Sequence, residues 1–80
     1  MSEDEKSMVR IRWYDAKFCP GTHNEDAIQE HKMAIFESLG YLIHSDEITT
    51  IIAAERNDQN EYRDITLIPT GSIISTNSLH

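Results

Sequence analysis

Hydrophobic and polar residues alternate strictly from Met8. Val9, Ile11 and Trp13 fall on one side, and Arg10, Arg12 and Tyr14 on the other, which is the two-residue period of a half-buried strand. Two further β-branched runs, Ile48 to Ala54 and Tyr62 to Ile68, flank the polar cluster Arg56-Asn57-Asp58-Gln59-Asn60 and predict a hairpin. The first of these runs is apolar on both faces, with Ile51 and Ala53 against Ile52 and Ala54, and reads as the centre of a sheet. In the second, Ile65 and Leu67 face one way and Asp64 and Thr66 the other, so one side is expected to be wet. Pro69-Thr70-Gly71 breaks this run, because proline lacks the N–H a ladder requires, and Ile73 and Ile74 begin a short last strand.

The segment between the first strand and the hairpin is ambiguous. Pro20-Gly21-Thr22 signals a turn, and Thr22 or Asn24 can cap a helix whose first turn holds Glu25 and Asp26 at the positive end of the helix dipole. Ile28, Ile35 and Leu39 are helically spaced, and Gly40 suits the position after a C-cap, which allows one helix from about Glu25 to Leu39. Equally, the helix can end near His31 or Lys32, leaving Met33 to Ile43 as a long strand bent at Gly40. Periodicity does not separate the two.

Eighty residues amount to one small domain, residues 8–79, near the lower limit for a self-sufficient core, so oligomerisation is expected. Residues 1–7, with Glu3, Asp4 and Glu5, read as a disordered acidic tail. A lone Cys19 excludes an intrachain disulfide, and no positively charged apolar leader opens the chain, so a reducing cytoplasm is the expected setting. No apolar run approaches the roughly 20 residues a membrane helix needs. The formal charge of -7 opposes the counterion-release term that drives non-specific nucleic-acid binding, and it favours a basic protein partner instead.

The strand containing Trp13 and Asp15, the strand containing Gly40, Tyr41 and Leu42, and the ending built on Ile68, Pro69, Gly71 and Ile73 resemble small uncharacterised proteins of phages and mobile elements. The resemblance spans about residues 9–79. The element order also resembles the Sm-like fold, a short helix with a strongly bent, open five-stranded barrel. That resemblance implies the short-helix reading, about Asn24 to His31, and rings of subunits with RNA at the ring surface. The acidic charge and the lack of a Lys/Arg-rich segment with interleaved aromatics run against the RNA. The expected fold is therefore α+β but mainly β, a strongly bent antiparallel sheet or small open barrel of about five strands.

Catalytic chemistry is thinly provided. Cys19 with a histidine supplies a nucleophile and base in principle, but the sequence offers no oxyanion hole, and an 80-residue chain has little room to enclose a substrate, so no enzyme is expected. Cys19, His23 and His31, with His44 or a carboxylate, supply zinc-type ligands at a spacing that matches no standard motif. The plainer reading, a loop cysteine beside a solvated histidine, is preferred, and no metal or cofactor is expected. The face carrying Arg10, Arg12 and Tyr14 is the best candidate ligand site. Two forked donors beside an aromatic ring suit a phosphate or carboxylate. The plainer reading, preferred because cross-strand charge pairs are common, pairs these arginines across the sheet with Asp64, Glu61 or Glu55. Trp13 and Phe36 are placed in the core. Asp46 and Glu47 in one turn, with Asp58 and Glu61 in the other, suggest an acidic rim for a basic partner.

The functional expectation is a non-enzymatic phage or mobile-element accessory protein that acts by binding, as a homo-oligomer. It would engage a host protein or sequester a small anionic nucleotide signal. An Sm-like RNA-binding oligomer and a zinc-stabilised structural module are the alternatives.

Overall fold

A computed structural model of the chain describes residues 6–79. The acidic tail expected at residues 1–7 therefore lies mostly outside the described residues. Ser7, however, belongs to the fold: its carbonyl accepts a hydrogen bond from Leu42 N at 2.8 Å. Five antiparallel strands follow in one open sheet: β1 (Met8–Asp15), β2 (Ala34–Ser45), β3 (Thr49–Arg56), β4 (Tyr62–Pro69) and β5 (Ile73–Ser78). A helix, α1 (Glu25–Gln29), lies between β1 and β2, and a single 3₁₀ turn, Thr70–Ser72, lies between β4 and β5.

The strand order is β4-β3-β2-β1-β5, which places β2 at the centre and leaves β4 and β5 as open edges. β3 was expected at the centre from its two apolar faces. It lies one place from an edge instead: Ile52 faces the buried cluster, whereas Ile51 and Ala53 lie on the other face, opposite the exposed Leu67 and Ile65. Ile68 on β4 belongs to one buried cluster with Val9 and Ile11 on β1 and Ile52 on β3. Three strand spacings separate β4 from β1, about 14 Å in a flat sheet. A bent sheet brings these side chains into one cluster, with Ile52 on β3 between them.

Gly40 sits at that bend. A Cβ added there would lie 2.6 Å from the Ala53 carbonyl oxygen, so glycine is what allows β3 to close on β2. Nearby, the β2–β3 register shifts between Leu42 and His44, an irregularity of the kind that bends and twists a strand.

The short-helix reading holds for α1. Asn24 Oδ1 accepts from Ala27 N at 2.8 Å, Glu25 and Asp26 occupy the first turn, and no α1 residue is buried. The long-helix alternative loses because β1 offers partners for the following segment, pairing Trp13 with Phe36, Tyr14 with Ile35 and Asp15 with Ala34. Those pairs also correct the core. Trp13 is half-buried, with its indole N–H donating to Ser38 Oγ at 3.0 Å, but Phe36, expected inside, is 48% exposed beside it. On β4 both sides of the expected alternation are exposed, Asp64 and Thr66 as well as Ile65 and Leu67. Ile68 is the buried residue, whereas Ile65 and Leu67 face outward, Leu67 at 62% exposure.

One polar residue among those described is fully buried. Thr50 Oγ1 lies 2.9 Å from both Ser45 Oγ and Thr70 Oγ1, a hydroxyl chain joining β2, β3 and the 3₁₀ turn. Each member has a partner, so the chain satisfies the core rather than disrupting it.

Gly40→Ala is expected to lower stability by about 1–3 kcal/mol, the range for forcing atoms into filled space, or several degrees in Tm for a domain this size. Gly71→Ala, where an added Cβ meets nothing within 4 Å, is expected to leave the melting curve nearly unchanged. Thermal unfolding followed by circular dichroism distinguishes them, and equal melting of the two variants would contradict the role given to Gly40.

Candidate functional site

Cross-strand pairing assigns the two faces of β1. Val9, Ile11 and Trp13 sit opposite Gly40, Ser38 and Phe36. Arg10, Arg12 and Tyr14 sit opposite Leu39, Glu37 and Ile35 on the other face. On the other side of β1, Arg10 is opposite Asn77 and Arg12 opposite Ser75. The three side chains expected to share a face do so, one strand in from the β5 edge.

The ion pairs expected for these arginines are absent among the described residues. β4 and β1 are separated in the strand order, and the carboxylate of Glu55 is taken by its own neighbour: Arg63 Nη2 and Nε donate to Glu55 Oε2 and Oε1 at 2.8 and 3.1 Å. This pairing holds the Glu55 carboxyl below its usual range. Glu37, opposite Arg12, forms no ion pair with it among the described residues. Arg10 Nε is buried and makes no hydrogen bond. A buried donor without an acceptor costs about 1–3 kcal/mol. The half-buried Arg10 thus combines an unmet donor with a position beside the exposed Arg12 and Tyr14.

The expected acidic rim does not form. Asp46 and Glu47 lie in the turn before β3, and Asp58 and Glu61 in the turn after it. The two turns are therefore at opposite ends of an eight-residue strand, roughly 25 Å apart. Asp46 is used within its own turn. Its Oδ1 accepts from Ile48 N and Thr49 N at 2.8 and 2.7 Å, and its Oδ2 lies 2.8 Å from His44 Nε2. The bond to His44, with the two backbone N–H groups, lowers the Asp46 pKa to about 2.

The β3–β4 hairpin carries a feature the sequence did not single out. A concavity of about 390 Å³ is lined by Glu55, Arg56, Asn57, Glu61, Tyr62 and Arg63. The Arg56 guanidinium stands 5.0 Å above the Tyr41 ring, which meets Tyr62 edge-on at 6.2 Å. The turn is tied by Asn57 Oδ1, which accepts from Gln59 N and Glu61 N, both at 2.9 Å, with Asn60 in the left-handed region at φ 59°. Two carboxylates and two guanidiniums balance there, so the concavity has no net preference for charge. The Asn57-Asp58-Gln59-Asn60 cluster announced the turn, but the meeting of Tyr41 with Arg56 depends on the β2–β3 register and was not legible beforehand.

In the connection after β1, Cys19 Sγ lies 3.1 Å from His31 Nδ1, the His23 and His31 rings meet edge-on at 5.4 Å, and His23 Nε2 is 3.0 Å from the Pro20 carbonyl oxygen. The three residues are brought together, with His44 elsewhere in the β2–β3 region. Among the described residues no group of three or more His, Cys, Asp or Glu side chains is arranged to hold a metal ion. No described helix is long and apolar enough to cross a membrane.

No protein-family model, curated protein or solved structure matches the chain.

The lowered Asp46 pKa has a defined sign. A carboxyl that binds its proton less readily when folded contributes stability in full above its unfolded pKa, near 4, and loses it as pH falls towards 2. Asp46→Asn is expected to melt below the parent at pH 7, with the difference shrinking between pH 4 and pH 2. A difference independent of pH would show that the charge of Asp46 does not support the turn.

Proposed function

We propose that this chain is a non-enzymatic binding protein whose ligand is a small anion, a phosphate- or carboxylate-bearing molecule of nucleotide type, taken up on the face of Arg10, Arg12 and Tyr14. The observation that carries this reading is the buried, unpartnered Arg10 Nε, next to an Arg12 that no carboxylate neutralises among the described residues. An anionic oxygen arriving at this face draws the Arg10 side chain outward, giving its unmet Nε an acceptor, and Arg12 adds a second charge-assisted contact. Tyr14, 44% exposed, offers a ring for a base to stack on. The cross-strand neighbours on β5, Ser75 and Asn77, carry no charge that would compete for the anion.

The protein acts as a homo-oligomer in this reading. β4 and β5 are unpaired edges that another subunit can complete, in keeping with the Sm-like resemblance, and unprotected edges are otherwise sites of non-specific association. The resemblance to phage and mobile-element proteins adds the setting: an accessory protein that withdraws a nucleotide signal from a host, or engages a host protein, in the cytoplasm. RNA remains disfavoured by the charge of -7.

Titration calorimetry against inorganic phosphate, mononucleotides and cyclic dinucleotides tests the ligand class. One nucleotide class is expected to bind with an affinity that falls as salt rises. Arg12→Ala and Arg10→Ala are each expected to weaken it at least tenfold, in line with loss of one charge-assisted contact worth about 1.5–3 kcal/mol. Absence of binding by every anion at millimolar concentration would overturn the proposal.

A further inference from the structure

One residue on the face of Arg10, Arg12 and Tyr14 runs against its positive charge. On β2 the partners of Arg10, Arg12 and Tyr14 are Leu39, Glu37 and Ile35. Directly opposite residues share a face, so the Glu37 carboxylate stands in the middle of a surface otherwise suited to anions. Glu37 is exposed, and it pairs with no cation among the described residues although Arg12 is its cross-strand neighbour.

A carboxylate beside two guanidiniums weakens their hold on a bare phosphate, because like charges repel. It is also an acceptor only, so a ligand that gains from Glu37 must bring hydrogen-bond donors to it. The position of Glu37 says which donors. The unmet Nε of Arg10 marks the phosphate end of the face. Tyr14, 44% exposed, and Ile35 opposite it, 48% exposed, make an apolar platform at the other end. Arg10 and Tyr14 are four residues apart, about 13 Å along the strand, and Arg12 and Glu37 lie halfway. A nucleotide carries its groups in the same order: phosphate, sugar, base. The donors it holds between phosphate and base are the hydroxyls of ribose.

We infer that Glu37 is a specificity residue that accepts hydrogen bonds from ribose hydroxyls, so that this face selects ribonucleotides over deoxyribonucleotides and over inorganic phosphate. The inference rests on the anion-binding reading above and narrows its ligand to ribonucleotides. The phosphate lies against Arg10 and Arg12, the sugar passes over Arg12 and Glu37, and the base stacks on Tyr14 beside Ile35. Opposite charges facing each other across the ladder thus serve two parts of one ligand, Arg12 a phosphate oxygen and Glu37 the neighbouring hydroxyls. Inorganic phosphate meets the repulsion of Glu37 without any compensating contact, and a deoxyribose leaves the carboxylate short of a donor.

Titration calorimetry on the full chain tests this with ribonucleoside 5′-monophosphates, cyclic diribonucleotides and inorganic phosphate. Each nucleotide is compared with a counterpart lacking sugar hydroxyls, 2′,3′-dideoxy for the monophosphates and 2′-deoxy for the cyclic dinucleotides. The ribo form that binds best is expected to exceed its counterpart by at least about fivefold in affinity, the order of one hydrogen bond to a charged group. Glu37→Ala is expected to abolish that preference and weaken the ribonucleotide, while inorganic phosphate binds as tightly as before or more tightly. These opposite signs separate a sugar contact from a structural role, because a damaged sheet would weaken both ligands together. Equal binding of ribo and deoxy forms, or parallel weakening of ribonucleotide and phosphate in Glu37→Ala, would overturn the role of Glu37 while leaving the anion site in place. No binding of any anion would overturn both. If Glu37→Ala does not fold, the comparison of ribo and deoxy forms on the parent protein decides the matter alone.

Discussion

The close approach of β3 to β2 at Gly40 governs this structure. The Ala53 carbonyl oxygen occupies the space that any Cβ at position 40 would need. That contact lets a single sheet bend around its own core, with Ile68 on β4 buried in one cluster with Ile52 on β3 and Val9 and Ile11 on β1. A domain ordinarily needs two packed layers to shelter its apolar faces. Here a single bent sheet shelters the core, and the bend that makes this feasible occupies only the middle of a twelve-residue strand.

The same device limits what the sheet can cover. The concave side is filled by Val9, Ile11, Ile52 and Ile68, with Trp13, Leu42 and Ile73 at its margin. The convex side, with Leu39, Ile65 and Leu67, and the far end of the β1–β2 hairpin receive nothing from within the described chain. Arg10 and Arg12 also lie on the side of β1 turned away from the core. The apolar surface left open on that side comes from a sheet with too few strands to wrap its own outside, whereas Arg10 Nε is unmet because it is covered without an acceptor.

Much of this was legible in the residues. Alternation from Val9 to Tyr14 set both the strand and its faces, because a two-residue period leaves no freedom in which side chains are grouped, and Arg10, Arg12 and Tyr14 were grouped correctly on that basis. Asn57 to Asn60 marked a hairpin because those side chains serve as local acceptors for turn N–H groups. Errors arose where strand order mattered. Two apolar faces on β3 suggested a central strand, whereas one of them, with Ile51, lies opposite the exposed Leu67. Pairing the arginines with Glu55, Glu61 or Asp64 assumed that β1 neighbours β4, and two acidic turns were merged into one rim that β3 holds apart. Local periodicity does not report which strands are adjacent, and each of these features depended on that.

The arm between β1 and β2 has a different relation to the fold. The β1–β2 ladder is continuous from Met8 with Tyr41 to Asp15 with Ala34, so it is complete before the 18 intervening residues begin. Relative to a two-residue turn, closing a loop of that length adds only about 2 kcal/mol of chain entropy. The sheet is therefore nearly indifferent to the arm's length and composition. Strand pairing and arm chemistry can change independently across sequences, with the ladder acting as a fixed hinge pin from which interchangeable segments are hung.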